Sequence, residues 1–206
     1  MNTDRKRGNY SRKSKRVILV SYEGKNKTEK IYFNNFCNRE NDFIIQIVPG
    51  NETDPVNLVK QTIQKKNELG LDLGADDRAF CIFDTDTKMQ KEKQIIEAIN
   101  LALKYNIKIV TSCPCFEVWL LLHYEYTTGY LDNDSVISKL RKHNDKYEKN
   151  YNIYSEIKTY VNTAIENAKK LEKYQLKNDR EKNSVEANPH TNVYEIIEDI
   201  NKDNFV

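Results

Sequence analysis

The sequence predicts an α/β fold, a parallel sheet flanked by helices with a C-terminal helical extension. Three observations point there. Short runs of β-branched and aromatic residues recur between residues 16 and 111, helical apolar spacing fills the intervals, and this alternation stops near residue 124. Near-continuous apolar strands separated by helices belong to sheets covered on both faces.

The elements follow in order. Arg16–Tyr22 is short and rich in Val, Ile and Leu, which reads as a buried strand ended by Glu23-Gly24. Thr28–Phe36 reads as a helix with Ile31, Tyr32 and Phe36 on one side. Phe43–Val48 is a second strand, closed by Pro49-Gly50. Thr53-Asp54-Pro55 is a helix start, because proline at a first helical position has no amide to satisfy. Val56, Val59, Ile63 and, less regularly, Leu69 mark its apolar face, and Gly70 and Gly74 break it. Arg78–Phe83 is a third strand running into Asp84-Thr85-Asp86. A helix over 89–105 would bury Ile95, Ile96, Ile99 and Leu103. Ile107–Thr111 is a fourth strand, and Pro114 leads into a short apolar helix over Phe116–His123. Beyond residue 124, helices are expected over 133–144, 151–176 and 193–201, with a polar loop at 177–188 and a turn at 188–192.

Composition narrows the class of function. Net charge is only +2, yet residues 1–16 hold seven Lys/Arg against Asp4 alone. The chain therefore divides into a basic mobile arm over 1–15, an α/β domain over 16–124 and a helical extension over 125–206 packed on the same domain. Arg5, Arg7, Arg12 and Lys13 of the arm either contact phosphates or serve as a solubilising tail. No apolar run approaches the roughly 20 residues of a membrane helix, and the basic start lacks an apolar signal core, so no membrane partner and a cytoplasmic location are expected. Cys37, Cys81, Cys113 and Cys115 are too few for a disulfide scaffold and badly spaced for zinc. Cys81, Cys113 and Cys115 read as buried thiols, Trp119 and Leu120–Leu122 as core, and His123 as a core histidine. Residues 133–182 carry twelve Lys/Arg against eight Asp/Glu, and nine of the thirteen tyrosines lie between 105 and 174. That pattern fits an amphipathic cap over the sheet, a groove where tyrosines stack bases and lysines meet phosphates, or both.

Parallel α/β sheets place their chemistry at the carboxyl ends of the strands. Glu23 follows the first strand, while Asp84 and Asp86 follow the third. Carboxylates converging on one cleft repel one another unless a cation joins them, and hard oxygen donors suit Mg²⁺ or Mn²⁺. Such ions stabilise charge in phosphoryl transfer. An Asp-x-Asp at a strand end is also a common turn or cap. Glu117, opening a helix after the fourth strand, either completes the site or is a first-turn acid favoured by the helix dipole. Lys25 and Lys27, in the loop after Glu23, either hold a phosphate or are simply solvated.

Several strings resemble the RloB family. They are Val17–Phe33, with its Tyr-Glu-Gly-Lys-Asn-Lys-Thr-Glu centre, Phe83-Asp-Thr-Asp86, Ser112-Cys-Pro-Cys-Phe-Glu-Val-Trp-Leu-Leu-Leu-His123, and Asn188-Pro-His-Thr-Asn-Val193. The resemblance implies a Toprim-like sheet in which Glu23 is a general acid/base or metal ligand and Asp84 and Asp86 hold Mg²⁺ or Mn²⁺. It implies an AbiL-type abortive-infection component encoded beside an AAA/ABC-type ATPase. Many Toprim proteins carry a third acid where this chain has Lys88. Lys88 either contacts the scissile phosphate or leaves the site one ligand short. His190 lies in a family-like string whose role is open.

Three functions follow. The first is a metal-dependent nuclease effector acting on DNA or RNA, with tRNA among the candidate substrates, in anti-phage defence. The second is a non-catalytic adaptor that binds nucleic acid or nucleotide and regulates the ATPase. The third is a haloacid-dehalogenase-type phosphatase, which Lys88 disfavours because that motif wants Thr or Val there. There is no Gly-x-x-x-x-Gly-Lys, so the chain itself is no P-loop ATPase.

Overall fold

The computed structural model describes residues 15–24, 27–50, 54–85 and 92–202. Four strands pair in parallel: β1 (Arg16–Tyr22), β2 (Phe43–Pro49), β3 (Arg78–Asp84) and β4 (Lys108–Cys113). A two-residue β5 (His190–Thr191) adds an antiparallel edge to β4, giving the order β2-β1-β3-β4-β5.

The strands are apolar throughout because each face of the sheet packs against helices. Ile18, Val20, Tyr22, Phe80 and Ile82 enter one core, whereas Leu19, Ala79, Cys81 and Phe83 enter the other. This is the period-two alternation of a strand with both faces buried. The second core is closed by α2 (Pro55–Glu68) and α3 (Glu92–Lys104). The first takes side chains from α1 (Lys27–Asn34), α4 (Glu117–Leu121), α5 (Asn133–His143), α7 (Val161–Lys177) and α8 (Tyr194–Asn201). The C-terminal helices thus share a core with the sheet. No described helix is long and apolar enough to cross a membrane.

Local chemistry sets the element ends. Asp54 caps α2 by accepting from the Asn57 amide at 2.9 Å, with Pro55 in the first turn. Gly24 has φ +56°, so the chain leaves β1 through a left-handed turn that suits glycine.

Four sequence expectations need correction. Helix α3 buries Ile95, Ala98 and Ala102, while Ile96 is exposed and Leu103 is 71% exposed. The alanine methyls at i+3 and i+7 form the stripe that faces inward, whereas the branched residues drew the reading one position round the helix. The helix expected over 151–176 is interrupted: α6 (Tyr154–Ile157) and a 3-10 turn (Lys158–Tyr160) precede α7. Asn152 Oδ1 accepts from the Tyr154 amide at 3.2 Å, so the chain turns there. The short helix after β4 begins at Glu117, and β4 itself runs on to Cys113. Finally, residues 190–191 are strand and not turn. Asn192 extends that pairing: its Oδ1 accepts from the Thr111 amide at 2.6 Å, and its Nδ2 donates to the Ile109 carbonyl at 3.3 Å.

Candidate active site

The carboxyl ends of β1, β3 and β4 lie side by side, since β1 and β4 both pair with β3. The Glu23 amide continues the β1–β3 ladder by donating to the Ile82 carbonyl at 3.1 Å. Its side chain then crosses to the neighbouring strand, where Oε2 accepts from the Asp84 amide at 3.4 Å. Asp84 is registered with Ser112 on β4, and the Thr85 amide donates to the Ser112 carbonyl at 2.9 Å. Glu23 and Asp84 are both partly exposed.

Glu117 comes to the same edge from the helix after β4 but sits deeper, 3% exposed. Thr28, near the start of α1, donates its hydroxyl to Glu117 Oε1 at 3.0 Å and also lies 3.1 Å from the Lys149 carbonyl. One hydroxyl thus joins the first helix, the fourth helix and the loop after α5. Burial raises the Cys115 thiol well above its usual range, and the Glu117 and Asp84 charges add to the rise. Burial pushes the Cys81 thiol up to about 12; the Thr62 hydroxyl opposes this and the Glu23 charge adds to it. Tyr147 is raised by burial and then by Glu117. These thiols and this phenol are neutral near pH 7; Cys81 lies in the core on one face of the sheet, and Cys115 and Tyr147 lie in the core on the other. Both buried histidines are also neutral there. Burial lowers His123 and His190 to about 4, and His123 Nδ1–H donates to the Trp119 carbonyl at 3.0 Å.

Among the described residues, no three of His, Cys, Asp and Glu converge closely enough to hold an ion. The donor chemistry that is present is two partly exposed carboxylates on adjacent strand ends. This suits Mg²⁺, which is usually held by one or two carboxylates and completed by water and substrate phosphate. Asp86 and Lys88 lie outside the described residues, as do Lys25, Arg5, Arg7, Arg12, Lys13 and the side chain of Lys27.

The family model described as RloB-like protein matches residues 18–200. The chain belongs to the RloB-like family. No curated protein and no solved structure matches it. Glu23, Thr28, Asp84 and Glu117 all fall inside the matched region, and residues 1–17 fall outside it.

Three participants escaped the sequence reading of this RloB-like chain. Thr28 stands five residues beyond Glu23 at a helix start, and its hydroxyl at a buried position was the available signal. Glu29 is fully buried in the first turn of α1, where its charge adds to the effect of burial in raising the Tyr22 phenol. Tyr147 carries no sequence signal, because it lies buried in the loop after α5.

Thr28→Val keeps the side-chain shape and removes the hydroxyl. It leaves a buried carboxylate oxygen without that donor, a loss of about 1.5–3 kcal/mol for hydrogen bonds to charged groups. The expected result is a urea midpoint lowered accordingly, with Thr28→Ser close to the parent protein.

Proposed function

We propose that this RloB-like protein is a metal-dependent nuclease effector, hydrolysing phosphodiester bonds of DNA or RNA. One observation carries the reading: Glu23 and Asp84 stand on adjacent parallel strand ends, with Glu23 Oε2 3.4 Å from the Asp84 amide. In such a sheet the carboxyl edge is where substrates bind. Asp84, with Asp86 from the same strand end, would hold Mg²⁺ or Mn²⁺, and Glu23 would share it or carry a proton. When bound, the ion supplies charge stabilisation at the phosphate oxygens. Glu23, partly exposed and accepting from the Asp84 amide, would accept the proton of an attacking water. Glu117, which accepts from the Thr28 hydroxyl at 3.0 Å, lies deeper at the same edge. Lys88 and the basic arm would meet phosphates. Kinship with the RloB family supports a role in abortive infection together with an AAA/ABC-type ATPase.

The adaptor reading has one observation in its favour, Lys88 standing where many Toprim proteins carry a third acid. A single experiment separates the two. Purified protein, alone and with the ATPase encoded beside it, is incubated with DNA, tRNA and other RNA in Mg²⁺, in Mn²⁺ and in EDTA, and new ends are sequenced. The nuclease reading expects new ends only with metal. Binding without new ends under every condition selects the adaptor.

A further inference from the structure

Tyr130 and Tyr174 are 68% and 36% exposed, and both line one cleft of about 370 Å³. Thr128, Arg180 and Glu186 line the same cleft. Two tyrosine rings left in water forgo the burial that usually stabilises aromatic side chains.

The backbone carrying them is anchored. Asn188, itself buried, accepts from the Leu131 amide at 2.8 Å and donates to the Leu131 carbonyl at 2.7 Å. It thereby pins the residue after Tyr130. Gln175, also buried, donates to the Pro189 carbonyl at 2.7 Å and pins the residue after Tyr174. The same Gln175 accepts from Arg180 Nη1 at 3.3 Å, while its carbonyl accepts from the Arg180 amide at 3.1 Å. Asn188-Pro189, a string without an assigned role, thus holds both rings and the guanidinium in one frame.

Charge and position add to this. Lys170, Lys173 and Lys177 are exposed on α7 at i, i+3 and i+7, the same face as Tyr174, and the helix leads directly to Arg180. Val185, another wall of the cleft, accepts through its carbonyl from Cys113 Sγ at 3.9 Å. Cys113 ends β4, next to the Ser112 that is registered with Asp84. The cleft therefore adjoins the edge that carries the acids.

We infer that this cleft takes an unpaired nucleotide of the substrate, its base stacked on Tyr130 and Tyr174 and its phosphate against Arg180. This rests on the nuclease reading and names its substrate class: a nucleic acid with a single-stranded segment. Only an unstacked base offers its face to an aromatic side chain, and such stacking tolerates any sequence. Thr128 and Glu186 supply a hydroxyl and a carboxylate for the edge of the base.

The test measures fluorescence anisotropy of short labelled DNA and RNA oligonucleotides, single-stranded and duplex, in EDTA so that nothing is cut. The parent protein binds the single strands more tightly than the duplex. Tyr130→Ala and Tyr174→Ala each weaken single-strand binding about 5- to 150-fold, the equivalent of ~1–3 kcal/mol per stacked base. Tyr130→Phe and Tyr174→Phe bind like the parent, because stacking uses the ring and not the hydroxyl. Arg180→Ala flattens the salt dependence by about one phosphate contact, a slope change of about 0.7 for a single strand. Duplex bound as well as single strands, or alanine variants that bind like the parent, overturns the assignment. Tyrosine-dependent binding by a protein that never cuts would remove the nuclease reading and leave the cleft in place. Cutting by the parent, with no loss of binding in the alanine variants, would remove the cleft alone.

Discussion

Glu23→Gln and Asp84→Asn each lower metal-dependent cleavage on the order of 10³-fold and leave the fold intact. Both changes are near-isosteric. The side-chain amide introduced by Glu23→Gln retains an oxygen that can accept from the Asp84 backbone amide, the contact now made at 3.4 Å. What disappears is charge, and with it the several kcal/mol of transition-state stabilisation that a correctly held ion contributes, each 1.36 kcal/mol being tenfold in rate. Stability moves the other way. Adjacent carboxylates repel when no cation joins them, so without metal the variants unfold at the same or a higher urea concentration than the parent. Single-turnover cleavage and urea midpoints in EDTA, measured on the same preparations, check both halves. The same substitutions should abolish toxicity in cells. Cleavage at the parent level in either variant would show that the pair does not carry the chemistry.

The parts of this site legible in the sequence are those that lie next to a strong local pattern. Glu23 and Asp84 end apolar β-branched runs, and a parallel sheet necessarily sends both ends to one edge. The runs themselves were unambiguous because burial on both faces leaves no polar alternation to confuse strand with helix. Contacts made at long range left no such trace. Thr28 meets the Lys149 carbonyl across 121 residues, and Asn192 meets the Thr111 amide across 81. Nothing local to Thr28 or Asn192 encodes those partners. Strand β5 was invisible for a related reason: two residues hold no periodicity, and their pairing is completed by a side-chain amide acting as backbone. The α3 face failed differently. Ala98 and Ala102 are weakly apolar, so Ile96 and Leu103 outweighed them in the pattern, although small methyl groups are what a closely packed helix presents inward.

At the opposite edge of the sheet, Asp199→Ala is expected to lower the unfolding free energy by about 3 kcal/mol. Asp199 lies on α8 and is 1% exposed. Arg16, the first residue of β1, reaches its Oδ2 at 3.2 Å and also donates to its backbone carbonyl at 2.6 Å. Arg78, the first residue of β3, stands 3.7 Å from Oδ1, and Lys202 stands 2.9 Å from the same oxygen. One carboxylate thus ties the last helix to the amino ends of the two strands that carry Glu23 and Asp84 at their other ends. Removing it takes the carboxylate from a largely buried guanidinium beside Phe43, whose ring lies 5.6 Å from Arg16, and leaves it the backbone carbonyl of residue 199. Breaking a buried pair by deleting one partner costs about 3–5 kcal/mol, and the lower end applies because Arg78 and Lys202 can turn toward water. The exposed Lys65–Glu68 pair is the control. Glu68→Gln should not shift the urea midpoint measurably, since two side chains on a helix surface are screened by solvent. Cleavage per folded Asp199→Ala molecule should stay at the parent level. The β1–β3 register is fixed by its own ladder from Ile18–Arg78 to Tyr22–Ile82, so the clamp stabilises the sheet without setting the spacing of the acids. A variant that stays fully folded by urea titration yet loses cleavage would show instead that α8 aligns the two strands.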